Sequence, residues 1–245
     1  MTIKHTLIAA LIAWSAIALA QEIPAGTALP VVLNATLDSK KLMGGETISA
    51  VLAQEVPLPD GGKIRSGIQV TGRVLKIDGT RDGGTLVKLR FDHVHEKGRD
   101  IAIRTMLRAL ASPWEVQEAQ LPKVGAVERD ASASGITTQI GGDFVYRGGG
   151  QVMHDDDVVG DPVKDGVLAV LRPVKKTGCD TGSGERRLAL WLFSSTACGV
   201  YGFRFLEISQ PGTAEPIGDV VVQSTKNVHI DRGSALLLIT VEAPK

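Results

Sequence analysis

Few side chains in this sequence are spaced as chemistry would require. His93 and His95 lie two apart in a segment of alternating apolar residues, with Asp92 and Glu96 beside them. On a strand such a pair shares one side, and His-x-His is half of a workable metal site. Strict alternation would put Val87, Leu89 and Phe91 on that side too, so the plainer expectation is two histidines finishing a strand at a barrel rim. His154-Asp155-Asp156-Asp157 offers consecutive carboxylates suited to a hard cation such as calcium. It lacks the alternating ligands and closing glutamate of an EF-hand and reads first as a solvated loop.

Other motifs are weaker. Asp180-Thr181-Gly182-Ser183 spells an aspartic-protease signature, but Lys175-Lys176-Thr177-Gly178-Cys179 precedes it where an apolar strand is needed, and there is no second copy; it reads as a polar turn. Gly141-Gly142 and Gly148-Gly149-Gly150 lack the spacing of phosphate cradles and read as turns. Neither Gly-x-Ser-x-Gly nor Ser-x-x-Lys occurs, and no spacing ties His93, His95, His154 or His229 to a nucleophile. No catalytic residue and no cofactor is assigned. Cys179 and Cys198, the only cysteines, bracket an apolar run and are expected to form a disulfide if the chain is exported.

Export is what the N-terminus predicts. Lys4 and His5 precede an apolar run from Leu7 to Leu19, and Ala18-Leu19-Ala20 has the small-x-small form of a signal peptidase site. The run is too short for a spanning helix, which needs about 20 apolar residues. Residues 1–20 therefore read as a cleaved signal, no cysteine follows them to carry a lipid, and the mature chain is placed in the periplasm or outside the cell. The whole chain balances 27 basic against 27 acidic residues, and loss of Lys4 leaves a net charge of −1. That excludes the basic footprint of a nucleic-acid binder, and no mature segment is apolar enough to span a membrane. An aromatic content of 4% and the terminal Glu242-Ala243-Pro244-Lys245 argue against an outer-membrane barrel.

The elements that would position these residues are strands. Pro24 to Thr27 reads as a turn feeding an alternation of Leu29, Val31, Leu33, Ala35 and Leu37, with Pro30 suggesting an edge or a strand start. Further strands follow at Ile48 to Val56, Ile64 to Ile77, Thr85 to Glu96 and Ile101 to Thr105, separated by Gly- and Pro-rich turns. Ser112-Pro113-Trp114-Glu115 has the form of a capping box and predicts a helix from Pro113 to Gln120; Ala126 to Ser134 reads as a linker. Strands resume at Ile136 to Ile140, Phe144 to Tyr146, Gly166 to Leu171, Leu188 to Phe193, Tyr201 to Ile208, Val220 to Val222 and Ala235 to Val241. Leu188 to Phe193, apolar throughout, is expected to be covered on both faces.

The fold class expected is all-β: a small antiparallel β-barrel or sandwich over 21–110, a short helix and linker over 111–134, and a second β-rich lobe over 135–245. Pro24-Ala25-Gly26-Thr27, the Gly44-Gly45 reversal and Ile64-x-x-Gly67-x-x-Val70-x-Gly72-x-Val74 resemble the periplasmic β-barrel domain of TrbI-type conjugation and type IV secretion proteins. The resemblance covers about a third of the chain, departs at Arg65 where that family has proline, and finds no counterpart for the family's anchor, proline-rich stalk or pore-forming helices. It implies a barrel in an envelope setting, not a secretion channel. The remainder looks similar to secreted bacterial proteins of unknown function. The function expected is that of an exported cell-envelope structural or interaction protein whose partner is an envelope protein or a glycan. The alternative is a metal-dependent hydrolase centred on His93 and His95 or on Asp155 to Asp157.

Overall fold

The computed structural model describes residues 22–121, 135–146, 150–174, 179, 184–209 and 218–242. The signal segment, the linker, Gly148-Gly149 and Asp180-Thr181-Gly182-Ser183 lie outside the described residues. The fold is all-β. The first strands are β1 (Ala28–Leu33), β2 (Leu37–Asp38), β3 (Thr47–Leu52), β4 (Val56–Pro57) and β5 (Lys63–Ile64). Next come β6 (Gln69–Gly79), β7 (Thr85–Glu96), β8 (Arg99–Ala102) and β9 (Thr105–Ala111), then the helix α1 (Pro113–Glu118). After it come β10 (Ile136–Thr138), β11 (Phe144–Tyr146), β12 (Val152–His154), β13 (Asp157–Val163), β14 (Gly166–Val170) and β15 (Arg187–Ala189). The chain closes with β16 (Gly199–Tyr201), β17 (Leu206–Ile208), β18 (Val220–Ser224), β19 (His229–Ile230) and β20 (Ala235–Thr240).

Two large sheets result. One has ten strands in the order β16-β9-β20-β1-β3-β6-β7-β18-β17, with β8 also paired to β7; its β16–β9 pair is parallel. The other is a six-stranded antiparallel meander of β10 to β15 in chain order. The stretch expected as one lobe, 135–245, thus divides: residues 136–189 build the meander, and β16, β17, β18 and β20 return to complete the first sheet. The ten-stranded sheet wraps until β17 and β18 approach β9 near its other end. Among the described residues no ladder joins β16 to β17, so the sheet is not closed into a barrel.

Burial follows from this path. All six residues of β20 are buried, Leu236 and Leu238 in a core inside the wrapped sheet, Ala235, Leu237 and Ile239 in a second core beneath the meander. The strand covered on both faces is therefore β20. The expected strand from Leu188 to Phe193 stops at Ala189, because Trp191 turns with φ +55° and Phe193 forms only an isolated bridge to Ile140. Pro30 is likewise not on an edge, since β1 lies between β20 and β3. The β1–β3 pairing begins at Val31, and the Pro30 carbonyl accepts from Ala53 N at 2.9 Å. The missing N–H thus falls just past that ladder, on the side where it is not needed.

Buried polar side chains fasten the two sheets. Gln54, fully buried after β3, reaches β14: its Nε2 donates to Val167 O at 3.0 Å and its Oε1 accepts from Val167 N at 3.1 Å and from Trp191 N. The side-chain amide so imitates a strand neighbour. Gly166 must be glycine, because a Cβ there would lie 2.5 Å from Gln54 Oε1. The helix is short and starts as its sequence predicts, with Pro113 in its first turn and Ser112 Oγ accepting from Glu115 N at 3.4 Å. No helix among the described residues is long and apolar enough to cross a membrane.

Candidate functional site

The paired histidines are placed by an irregularity. Thr71 pairs with His93 and Gly72 with Phe91, which leaves Asp92 as an extra residue, a β-bulge. The alternation changes phase there: Val87, Leu89, Phe91, Val94 and Glu96 face inward, while His93 and His95 are only partly covered. The expectation that the histidines share a side with Val87, Leu89 and Phe91 is corrected by that one residue. Gly72 permits the bulge, since a Cβ would sit 1.9 Å from Arg90 O.

The two rings lie 6.3 Å apart and nearly parallel. His95 Nδ1 is 2.6 Å from Asp100 Oδ1, and its Nε2 is 2.6 Å from Thr71 Oγ1. A carboxylate only accepts, so Nδ1 carries the proton and Nε2 accepts from the threonine hydroxyl. Both nitrogens are then engaged, and a metal would have to displace one of these bonds. His93 Nδ1 is 2.8 Å from Asp92 Oδ1, whose other oxygen is 2.8 Å from Arg73. Among the described residues no three His, Cys, Asp or Glu side chains converge on a point that could hold a metal ion.

The carboxylate run falls on a hairpin that its polarity concealed. His154 pairs with Asp157, and Asp155, with φ +52°, forms the turn with Asp156. The carboxylates diverge: Asp155 points to solvent, and Asp157 accepts from Arg172 at 3.1 Å. His154 instead turns to Asp143, which is wholly buried; Nδ1 lies 2.7 Å from Asp143 Oδ1, and Asp143 Oδ2 accepts from Ser195 N at 2.6 Å. This fixes the proton on Nδ1 and leaves Nε2, 3.9 Å from Asp155 Oδ2, as the ring's outward nitrogen. Asp143 was not a sequence candidate, because its partners lie 11 and 52 residues away; its only local sign is a carboxylate directly after Gly141-Gly142.

Cys179 and Cys198 are bonded, with Cα atoms 6.2 Å apart. Beneath them lies a group that sequence reading missed. The register of β9 on β20 jumps from Ala109 to Leu107, so Arg108 is a bulge residue. Its buried guanidinium donates to the carbonyls of Ala197 at 3.0 Å, Cys179 at 3.2 Å and Arg172 at 2.6 Å. Burial lowers its pKa from the ordinary value, a shift opposed by Tyr201. Burial pushes the Tyr201 hydroxyl up; the bond from Cys198 N, at 3.0 Å, and nearby Arg108 act downward, and Glu115 adds to the rise. This constellation ties both cysteine segments to β9 and is structural.

The feature with an outward orientation lies on the meander. Thr138, Phe144, Met153 and Val158 are successive cross-strand partners on β10 to β13, and Thr137, Val145 and Val152 next to them are buried. Phe144 and Tyr146 are each 42% exposed and Val158 52%. The signal was present in Phe144-Val145-Tyr146, where large apolar side chains occupy both faces of a short strand. At the Thr138 end a cavity of about 200 Å³ separates α1 from β10, and Trp114 stands 65% exposed on that helix.

Compared with family models, with curated proteins and with solved structures, the chain matches none of them.

Proposed function

We propose that this is an exported cell-envelope protein acting as an interaction module, and that the outer face of the meander is where its partner binds. The observation that carries this reading is the row of Phe144, Met153 and Val158, with Tyr146 beside it, on a sheet whose other face already covers a core. Contiguous apolar surface is costly to leave in water, and on a folded protein it marks a contact site. The disulfide is in keeping with an oxidising compartment. The resemblance of residues 23–103 to the TrbI-type periplasmic barrel domain belongs to the same proposal, with the wrapped ten-stranded sheet as its barrel-like part.

A hydrolase reading has one observation in its favour, the Asp143–His154 pair, which has the geometry of an oriented base. No nucleophile is within hydrogen-bond reach of His154 Nε2 among the described residues, so the interaction reading ranks first. The test is crosslinking in the intact envelope followed by capture of the tagged protein, for the wild type and for Phe144→Ser combined with Val158→Ser. A crosslinked partner that disappears with the double substitution is expected. A partner retained undiminished by the variant would move the contact elsewhere.

A further inference from the structure

The turn joining β6 to β7 packs tightly against the end of β18. Gly84 has no room for a side chain there, since a Cβ would lie 2.1 Å from Ser224 O. Within the turn, Thr80 Oγ1 accepts from Gly84 N at 2.9 Å, and Gly83 N donates to Thr80 O at 3.1 Å. Across β18 from that turn, β17 pairs Glu207 with Gln223 and brings Phe205 alongside. A cleft of about 160 Å³ lies between them. Thr80 and Asp82 line it from the turn, Phe205 and Glu207 from the other side, and Gln223 to Thr225 lie between.

The lining combines an aromatic ring with hydrogen-bonding groups of both kinds. Phe205 is exposed, and Lys226 Nζ lies over its ring, 4.2 Å from the centre, without itself lining the cleft. Gln223 Nε2 donates to Glu207 Oε2 at 2.8 Å. That bond orients the amide and leaves its second hydrogen, its Oε1 and Glu207 Oε1 to a ligand. Thr80, which accepts from Gly84, keeps its O–H to donate. A hydroxyl both donates and accepts, so two adjacent hydroxyls match a carboxylate beside an amide, and the aromatic ring suits an apolar C–H surface. A simple cation would use the carboxylates and leave the amide and the ring idle; an anion would face Asp82 and Glu207. A sugar ring whose hydroxyls are all equatorial answers every group, because its faces are then bare C–H. We propose that the cleft binds one ring of a neutral glycan built of β-linked glucopyranose-type units, with Phe205 against the ring's C–H face and the Glu207–Gln223 pair on two adjacent hydroxyls. The site belongs to the ten-stranded sheet and does not depend on the meander's outer face.

The test is saturation-transfer NMR on the mature protein with cellotriose and with tri-N-acetylchitotriose, and with trigalacturonate as an acidic counterpart. Saturation of at least one neutral trisaccharide is expected, strongest on the ring C–H protons, with a dissociation constant of about 1 mM. Phe205→Ala should weaken that binding about tenfold and Glu207→Ala about fivefold. Phe205→Tyr, which keeps the ring, and Phe144→Ser, which alters only the meander, should leave it within about twofold of the wild type. Phe205 and Glu207 are both exposed, so an unchanged circular dichroism spectrum is expected for each variant. No saturation of either neutral trisaccharide, or saturation undiminished by Phe205→Ala, would overturn the assignment. Preference for trigalacturonate would overturn it in favour of an anion site. Loss of the signal on adding calcium, but not sodium chloride of equal ionic strength, would overturn it in favour of a metal. Loss with Phe144→Ser alone would move the glycan to the meander and sink the cleft while leaving the interaction face standing.

Discussion

On β6 and β7 several of the side chains that turn away from the core are charged and paired: Arg73 with Asp92, Lys76 with Asp78, Arg90 with Asp219. At the corresponding positions of the meander stand Phe144, Met153 and Val158. Each sheet has a face against a core, so burial alone does not require the difference. The charges of the first surface pair with others of the same chain. The second leaves Phe144, Tyr146 and Val158 exposed. What distinguishes the sheets is not how they fold but what they leave unfinished.

That comparison holds only if the sheets behave as one unit, and the largest expected effect tests this. Arg108 extends from the ten-stranded sheet to three carbonyls beyond the meander's strands, so Arg108→Ala should cost about 4 kcal/mol, the sum of several charge-assisted bonds lost. Urea unfolding should show a single transition moved to lower denaturant. A loss under about 1 kcal/mol, or a transition that splits so that the meander melts alone, would break the comparison. Next in size is the disulfide: Cys179→Ser with Cys198→Ser opens a link across 19 positions and should cost about 3 kcal/mol in the chain-entropy model.

A smaller effect concerns alkaline stability. Tyr201 has its pKa raised by burial, so the unfolded chain ionises first as pH climbs. Stability contributed by the neutral phenol is complete below the ordinary tyrosine value and declines as pH rises toward the folded value. Tyr201→Phe should remove that part of the decline in unfolding titrations above neutral pH, and an unchanged slope would contradict the burial argument. The smallest stability effects distinguish the two outward faces. Arg73→Ala, which breaks an ion pair half exposed on the arginine side, should cost less than about 1 kcal/mol, and Phe144→Ser about 0.5 kcal/mol or less. Only the second should lose a binding partner.

Much of the architecture was legible because a period of two is a local property. Val31, Leu33, Ile48, Ala50, Leu52, Val70 and Val74 are buried as their spacing predicts, and Ser112-Pro113 capped the helix where expected. The failures share a cause: each depends on residues far apart in the chain. One bulge at Asp92 reversed the facing of His93 and His95, and nothing in the order Phe91-Asp92-His93 announces it. The apolarity of Leu190 to Phe193 reflects burial in a turn, which a run of hydrophobic letters cannot distinguish from a strand. Asp143 and His154, like Arg108 and its three carbonyls, meet only after the meander has folded.

The most direct test of the central claim places a photo-crosslinking amino acid at position 144, on the meander, and separately at position 73, on the charged face, in cells exporting the protein. An adduct of defined mass at 144 and none at 73 is the result predicted. Equal adducts at both positions, or an adduct at 73 alone, would contradict the assignment of the meander's outer face as the binding surface.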